Sequence, residues 1–236
     1  MPNYYPIMLD VRGRRVVVIG GDRIAAEKVQ TFAACGARVC LIAPEWCPEL
    51  EQVVQELGPQ LELRRRPYLP GDLEGAFVVI ATTREPKLVE AVWGEAQQRG
   101  QLLNIVDLPE RCNFITPSIL RRDSLTVAVS TEGVSPGLAK LIRQELEQHF
   151  SPAYGAFLRL AAEARALLRT QGVTYEQRDA FFQEFYRSPV LAHLEAGAEA
   201  EARALTAELL RHYGVEVAHS FGERSTGATD GRSLAS

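Results

Sequence analysis

The stretch RVVVIGGDRIAAEKVQTFAACGARVCLIA, residues 15–43, decides the fold. It begins with a β-branched run that ends at Gly20 and Gly21. Apolar residues then recur at helical spacing as far as Gly36, and a second apolar run follows at once. A strand, a glycine turn, a helix and a strand in this order form a βαβ unit, whose handedness favours a parallel sheet.

The alternation continues downstream of this unit. Further strands are predicted at residues 61–65, 76–81 and 102–106, and a helix is predicted at residues 86–99. Strands that alternate with helices in this way indicate an α/β protein whose open, helix-covered sheet is of the Rossmann type. We expect this domain to occupy residues 1–112.

The pattern changes after Asp107. Two strand candidates, Asn113–Ile115 and Leu125–Val129, flank a polar turn, and Ser135-Pro136 opens an amphipathic helix. This predicts a small α+β region at residues 113–150. Composition then favours a helical domain at residues 151–214, with a capping box at Thr174 and Gln177, and a disordered tail at residues 215–236.

Charge and composition exclude several classes of protein. The chain has 236 residues, 46% of them apolar, and its net charge is −4, so it lacks the basic footprint of a general nucleic-acid binder. Neither a membrane-spanning apolar run nor a signal peptide is visible, which predicts a cytoplasmic protein. The four cysteines lack metal-ligand spacing, which favours reduced, packed thiols over a zinc or disulfide role: Cys35, Cys40, Cys47 and Cys112. The histidines are scattered and predict no metal site: His149, His193, His212 and His219.

The glycine turn differs at one position from the usual dinucleotide-binding turn. In such turns the first glycine makes the bend, the second lets the pyrophosphate approach, and the helix N-terminus supplies N–H donors. Gly20 and Ala25 fit the first and third positions, but Asp22 stands at the second. A carboxylate about 4 Å from a phosphate charge costs about 1 kcal/mol in water and about 4 kcal/mol at an effective dielectric constant of 20. By itself the turn leaves a dinucleotide site and a plain connection between strand and helix equally open.

Longer segments resemble the precorrin-2 dehydrogenase family, the N-terminal module of siroheme synthases, some members of which are also sirohydrochlorin ferrochelatases. The likeness covers about residues 5–150 in order. It is carried by YPIMLD, VVVIGGDRIAAEK, CGARVCLIAPE, RRPYLPGDLEGAFVVIATT, NIVDLPERCNFITPSIL and LTVAVSTEGVSPGLAKLIRQELE.

The resemblance implies an NAD-binding Rossmann domain, a dimerisation region at residues 113–150 that forms a homodimer, and a helical domain. It implies NAD-dependent oxidation of precorrin-2 to sirohydrochlorin for siroheme or cobalamin, and in bifunctional members the insertion of Fe²⁺ or Co²⁺ as a substrate. No resident metal, nucleic acid or membrane is implied. Asp107 matches the catalytic aspartate of the family. The cofactor contacts of the family match Gly20, Gly21, Arg23, Ile24, Pro44, Glu45 and Thr83.

The sequence departs from the family at two positions, because Asp22 stands where the family has glycine and Arg84 where an aspartate is common. The first departure leaves two alternatives open: a chelatase that does not use NAD, and a non-catalytic tetrapyrrole-binding or partner protein on the same fold.

The residues themselves give Asp107 a chemical interpretation. It follows a buried strand at the edge where open α/β sheets bind ligands, and its carboxylate could accept a proton or cap a turn. Basic side chains should bind the carboxylates of the substrate. The candidates are Arg111, Arg121 and Arg122, with an anion site at Thr131 and residues 133–136, whereas Arg64, Arg65 and Arg66 are interpreted as a solvated face.

Overall fold

The computed structural model describes residues 3–218 and 221, which divide into two compact units. The first unit contains the described residues up to Thr116 together with Glu132–Ser135. The second contains Pro117–Thr131 and the described residues from Pro136 onward.

The first unit is built on a parallel five-stranded sheet. The strands lie in the order β3-β2-β1-β4-β5, so the chain crosses from one half of the sheet to the other between β3 and β4. This confirms the predicted α/β fold. The elements are β1 (Arg15–Ile19), α1 (Arg23–Ala34), β2 (Arg38–Ile42), α2 (Pro48–Leu57), β3 (Leu61–Arg64), β4 (Val78–Ala81), α3 (Pro86–Gln98) and β5 (Leu102–Ile105).

Apart from Arg15 at the start of β1, the central strands β1 and β4 consist of apolar residues, because both faces of the sheet are covered. Val17 and Val79 belong to a core cluster on one face, and Val16 and Val78 belong to a cluster on the other. All four are fully buried. A strand buried on both faces has no polar side to alternate with, which is typical of parallel sheets.

The second unit begins with an antiparallel hairpin and continues as helices. Its elements are β6 (Ser118–Arg122), β7 (Leu125–Val129), α4 (Pro136–His149), α5 (Ala153–Thr170), α6 (Tyr175–Phe185), α7 (Val190–Glu195) and α8 (Glu199–His212). The predicted capping box is present, with the Thr174 side chain and the Gln177 side chain each bonded to the other's backbone. Phe181 and Phe185 are fully buried in the helical core.

The strand predicted at Asn113–Ile115 is wrong. Asn113 instead lies beside β5, because its side-chain amide donates to the Gln101 carbonyl and accepts from the Leu103 N–H, each at 2.8 Å. The hairpin strand starts only after Pro117, and the turn is at Asp123, whose φ is 55°. Arg121 and Arg122 therefore belong to β6 and not to the turn.

The predicted tail also begins too early. Val215 is 2% exposed and packs in the helical core, and the Glu216 N–H donates to the Gln171 side chain at 2.8 Å. The prediction of disorder is thus wrong for residues 215–218, and Phe221 is buried as well. The rest of that prediction, with His219, lies outside the described residues.

A buried carboxylate corrects the interpretation of the arginine run. Arg64 and Arg66 donate to Asp72, which is only 5% exposed, at 2.5 and 2.7 Å, so these two arginines are not simply solvated. Arg65 instead stacks on Trp46 with 4.5 Å from its guanidinium carbon to the ring centre. The hydrogen bonds from Arg66 and Arg64 lower the pKa of Asp72 to about 2.

We expect Asp72→Asn to lower the free energy of unfolding at pH 7 by about 2 kcal/mol, because Arg66 loses its counter-charge and Arg64 keeps only Glu62. The pKa of Asp72 is about 2 in the folded protein, below the unfolded value of about 3.9, so this stabilisation is complete above about pH 4 and is lost as the pH falls towards 2. Urea unfolding at pH 7 and pH 3 measures both effects. If the free energy of unfolding falls by the same amount from pH 7 to pH 3 in the wild type and in Asp72→Asn, Asp72 is not the source of this pH dependence.

Candidate functional site

The candidate site lies at the carboxyl edge of the sheet, where β1, β4 and β5 end side by side. The ladder continues one residue past each strand, since the Thr82 N–H donates to the Ile19 carbonyl and the Val106 N–H to the Ala81 carbonyl, both at 2.9 Å. Strand order reverses between β1 and β4, which is where open α/β sheets bind ligands. The residues that follow these strands therefore share one crevice edge.

The glycine turn after β1 is shaped by two close backbone approaches. Gly20 has a φ of 132°, and a Cβ there would overlap the Thr82 hydroxyl. A Cβ at Gly21 would overlap the carbonyl oxygen of Glu45, whose segment is also joined to the turn by the Cys47 N–H, which donates to the Gly21 carbonyl at 2.7 Å. Both positions therefore require glycine, because Thr82 and Glu45 already occupy the space that a side chain would need.

Asp22 caps the helix that follows the turn. Its backbone is extended, and its carboxylate accepts a hydrogen bond of 2.8 Å from the Ala25 N–H. A helix begins with N–H groups that lack intrahelical acceptors, and those of Arg23 and Ile24 remain outside the ladder. The carboxylate thus binds to the helix end at which a phosphate would bind, and takes one donor of several.

The threonines after β4 complete the edge. The Thr82 hydroxyl is buried, and it has no hydrogen-bond partner among the described residues. The Thr83 hydroxyl accepts from the Glu85 N–H at 3.1 Å before the start of α3, and its own hydrogen remains a donor. The tight glycine turn before α1 and the unpartnered hydroxyl both fit a bound dinucleotide.

The structure brings the predicted cofactor residues to this one edge. Gly20 and Gly21 form the turn, Arg23 and Ile24 begin α1, and Thr83 follows β4. Pro44 and Glu45 follow β2 and are exposed, with the Glu45 carbonyl against the turn. Their individual roles remain predictions.

Asp107 stands two residues after β5 in an unfavourable backbone conformation. Its φ is 63°, and the Leu108 N–H donates to the Ile105 carbonyl at 3.2 Å, so Asp107 is the third residue of a tight turn. That position favours glycine, and among other residues asparagine and aspartate adopt it most readily, at a cost of about 1 kcal/mol. The carboxylate is 56% exposed. A strained and accessible carboxylate at this edge is typical of a functional residue.

Hydrogen bonds on both sides hold this turn in place. The Cys112 sulfur accepts from the Ile105 N–H at 3.1 Å and donates to backbone carbonyls on either side of Asp107. The Asn104 amide, which is buried in β5, donates to the Phe114 carbonyl at 3.0 Å. The chain after Asp107 is thereby tied back to the strand before it.

The sequence analysis missed the side chain that contacts Asp107. Arg84, in the loop after β4, forms an ion pair with the Asp107 carboxylate. Both side chains are largely exposed, so the pair contributes only about 0–1 kcal/mol to stability. The only signal in the sequence was that Arg84 departs from the family at this position.

Two of the other basic candidates have structural partners. Arg111 pairs with Glu90 at 2.5 Å and stacks on Trp93. In the second unit, Arg122 donates to the carbonyls of Phe150 and Glu147 at the end of α4. Arg121 is exposed on β6, and its role, like that of Thr131 and residues 133–136, remains a prediction.

All four cysteines lie within the described residues, and none of them forms a disulfide. Cys40 is buried in β2, and burial raises its pKa to about 11, while the other three are half-buried. Within residues 3–218 and at 221, no cluster of three or more His, Cys, Asp or Glu side chains could hold a metal ion. Over the same residues, no helix has the length and apolar character that a bilayer crossing requires.

Three family models match the chain in succession. They are described as putative NAD(P)-binding (residues 7–118), sirohaem biosynthesis protein central (residues 122–149) and sirohaem synthase dimerisation region (residues 153–210). The chain belongs to the siroheme synthase and precorrin-2 dehydrogenase family. This confirms the resemblance, and it confirms a nicotinamide cofactor at the level of NAD(P).

Relatives in this family include siroheme synthases of known sequence. The chain is 36% identical over 203 residues to the one from Azotobacter vinelandii and 37% identical over 205 residues to the one from Pseudomonas fluorescens. These alignments cover 86% and 87% of this chain but only 43% and 44% of the relatives, so the chain spans less than half of their length.

A solved structure matches over almost its whole length. The structure titled SirC, precorrin-2 dehydrogenase, aligns with a TM-score of 0.73 at 25% identity, covering 89% of this chain and 99% of that one. The family model named for dimerisation falls on α5–α8, whereas the resemblance implied dimerisation at residues 113–150. The predicted domain boundaries remain predictions.

Proposed function

We propose that this protein catalyses the NAD-dependent dehydrogenation of precorrin-2 to sirohydrochlorin, in the synthesis of siroheme or cobalamin. The observation that carries the proposal is the position of Asp107, a strained and exposed carboxylate at the same sheet edge as the glycine turn. The two follow strands separated only by β4, so they are roughly 10 Å apart. The match to SirC, whose title names this activity, supports it.

The cofactor residues would hold a dinucleotide along the edge. Its pyrophosphate would approach Gly20 and Gly21 and accept from the N–H groups of Arg23 and Ile24. Pro44 and Glu45 would contact the adenosine half, and Thr83 the nicotinamide half. The Glu45 carboxylate, exposed after β2, would bind ribose hydroxyls and repel a 2′-phosphate, which favours NAD over NADP.

Asp107 would act as the general base. Bound NAD supplies a hydride acceptor, and removal of hydrogen from the substrate also requires loss of a proton. The Asp107 carboxylate is accessible and held by its turn, so it can accept that proton. The same carboxylate could remove pyrrole N–H protons as Fe²⁺ or Co²⁺ enters sirohydrochlorin, which makes metal insertion a second proposed activity.

The assembly belongs to the same proposal. The family model named for dimerisation supports a homodimer, in which a second copy of this chain is the protein partner. A cytoplasmic location is proposed from the activity, because NAD and tetrapyrrole precursors are supplied there.

The decisive experiment mixes purified protein, precorrin-2 and NAD⁺ and follows absorbance with and without Fe²⁺ or Co²⁺. We expect one NADH per sirohydrochlorin formed and slower turnover with NADP⁺. Metal insertion into sirohydrochlorin with no NADH formation from precorrin-2 would favour the chelatase alternative. Absence of both reactions, with tetrapyrrole still bound, would favour the non-catalytic alternative.

We expect Asp22→Asn and Asp22→Gly each to lower the Kd for NAD⁺ about tenfold, because both remove a negative charge from the phosphate-binding end of α1. Glycine is also an accepted N-cap, so neither variant should unfold the domain. Calorimetric titration measures the Kd. The matched control is Glu27→Gln, which removes an exposed carboxylate further along α1 and should leave the Kd unchanged. If both Asp22 variants bind NAD⁺ as the wild type does, the carboxylate does not oppose the pyrophosphate.

A further inference from the structure

The loops after β4 and β5 place an arginine directly on the proposed base. Ala81 and Ile105 are partners in the ladder between these strands, and the chain continues from them to Arg84 and Asp107. The ion pair uses one guanidinium nitrogen, Nη2, and one carboxylate oxygen, Oδ2. The Arg84 side chain is 79% exposed, and it pairs with Asp107 among the described residues.

The contrast with Arg111 shows that Arg84 is available. Arg111 is 32% exposed and is held between Glu90 and the Trp93 ring. Arg84 has no aromatic platform among the described residues, and the rest of its fork of N–H donors faces solvent. Of these two candidates at the carboxyl edge, Arg84 is the one that could bind an added anion.

The energetics allow the pair to open. An exposed ion pair contributes little to stability, so Arg84 can exchange Asp107 for another carboxylate at small cost. A guanidinium binds a carboxylate through two parallel hydrogen bonds, and the single bond to Asp107 does not use this capacity. A ligand with carboxylates at its rim would therefore compete well for Arg84.

We propose that Arg84 binds a peripheral carboxylate of the tetrapyrrole substrate, in exchange for its contact with Asp107. The exchange anchors the macrocycle beside the base and at the same time releases the Asp107 carboxylate to accept a proton. This inference rests on the proposed function, because it takes the substrate to be a polycarboxylate. It makes Arg84 a residue that determines substrate affinity.

The test separates binding from turnover in Arg84→Gln and Arg84→Lys. Loss of a charge-assisted hydrogen bond should raise the KM for precorrin-2 about 10–100-fold in Arg84→Gln, with kcat within about threefold of the wild type. Arg84→Lys keeps the charge without the planar fork of donors, so its KM should lie between those of the wild type and Arg84→Gln. The control is Lys87→Gln, an exposed cation on α3 whose removal should leave KM unchanged. A fall in kcat at unchanged KM would overturn the proposal, since Arg84 would then serve only to hold Asp107.

A binding measurement keeps this inference distinct from the proposed function. The Kd for sirohydrochlorin, measured by absorbance without NAD, should rise at least tenfold in Arg84→Gln but not in Lys87→Gln. This outcome supports the role of Arg84 even if the wild type proves inactive with precorrin-2, which would overturn the dehydrogenase proposal alone. An equal Kd in wild type and Arg84→Gln overturns the role of Arg84 even if the wild type is active.

Discussion

Asp107→Asn is expected to lower the turnover of precorrin-2 by about 100- to 10,000-fold, the usual contribution of a general base. The same change should leave the thermal midpoint unchanged or slightly raised. Asp107 has a φ of 63°, a conformation that asparagine adopts with less strain, and the ion pair with Arg84 that is lost is exposed and weak. Lost activity at undiminished stability would mark Asp107 as a residue kept for chemistry.

The control for this prediction is Asp123→Asn. Asp123 has a φ of 55° and forms an exposed ion pair with Arg159, so it repeats the backbone and charge setting of Asp107 in the second unit. We expect it to retain wild-type turnover. NADH formation and thermal unfolding are measured on both variants, with NAD⁺ titration to show that the cofactor still binds. Wild-type rates in Asp107→Asn would exclude this residue as the base.

Gly21→Ala is expected to lower the free energy of unfolding by about 2–3 kcal/mol and to abolish measurable NAD⁺ binding. The new Cβ would lie where the Glu45 carbonyl oxygen lies, and a backbone atom cannot move aside as a flexible side chain can. The segment after β2 would be displaced, together with the Cys47 N–H that donates to the Gly21 carbonyl. The proposed pyrophosphate contact at Gly21 and the proposed adenosine contact at Glu45 would therefore change together.

Gly94→Ala is the matched control, because it makes the same substitution inside α3, where a Cβ meets no atom within 4 Å. Alanine is the better helix former, so stability should rise by about 0.5–1 kcal/mol and NAD⁺ binding should not change. Urea unfolding and calorimetric titration compare the two variants. If Gly21→Ala and Gly94→Ala change the free energy of unfolding equally, the Glu45 segment moves aside more easily than its close contact with Gly21 implies.

The elements that the sequence predicted are those whose signals are local. After their first residue, the runs at β1 and β2 are apolar because both sheet faces are covered. Helix α1 shows its helical period and its terminal glycine within a few turns. The failed strand at Asn113–Ile115 has a non-local cause. Its conformation depends on hydrogen bonds between the Asn113 side-chain amide and the backbone of Gln101 and Leu103. These residues are ten or more positions away, and no periodicity in the sequence reveals the contacts.

The same distinction applies to the site. Gly20 and Asp107 could be found because each directly follows a strand that the sequence predicts, at residues 15–19 and 102–106. The pairing of Arg84 with Asp107, and the buried hydroxyl of Thr82 beside Gly20, depend on β4 lying between β1 and β5, and strand order is not written in any short segment. The burial of Asp72 between Arg64 and Arg66 was missed because a dense run of arginines is usually solvated.

The carboxylate at the start of α1 has a consequence for the catalytic cycle. In the proposed reaction the reduced dinucleotide would leave after hydride transfer, and a bare helix end would then have to recruit water or counter-ions. Because Asp22 already accepts from Ala25, the emptied protein keeps a tethered anion at that terminus. We therefore expect the coenzyme of the proposed reaction to depart with little reorganisation of this helix end.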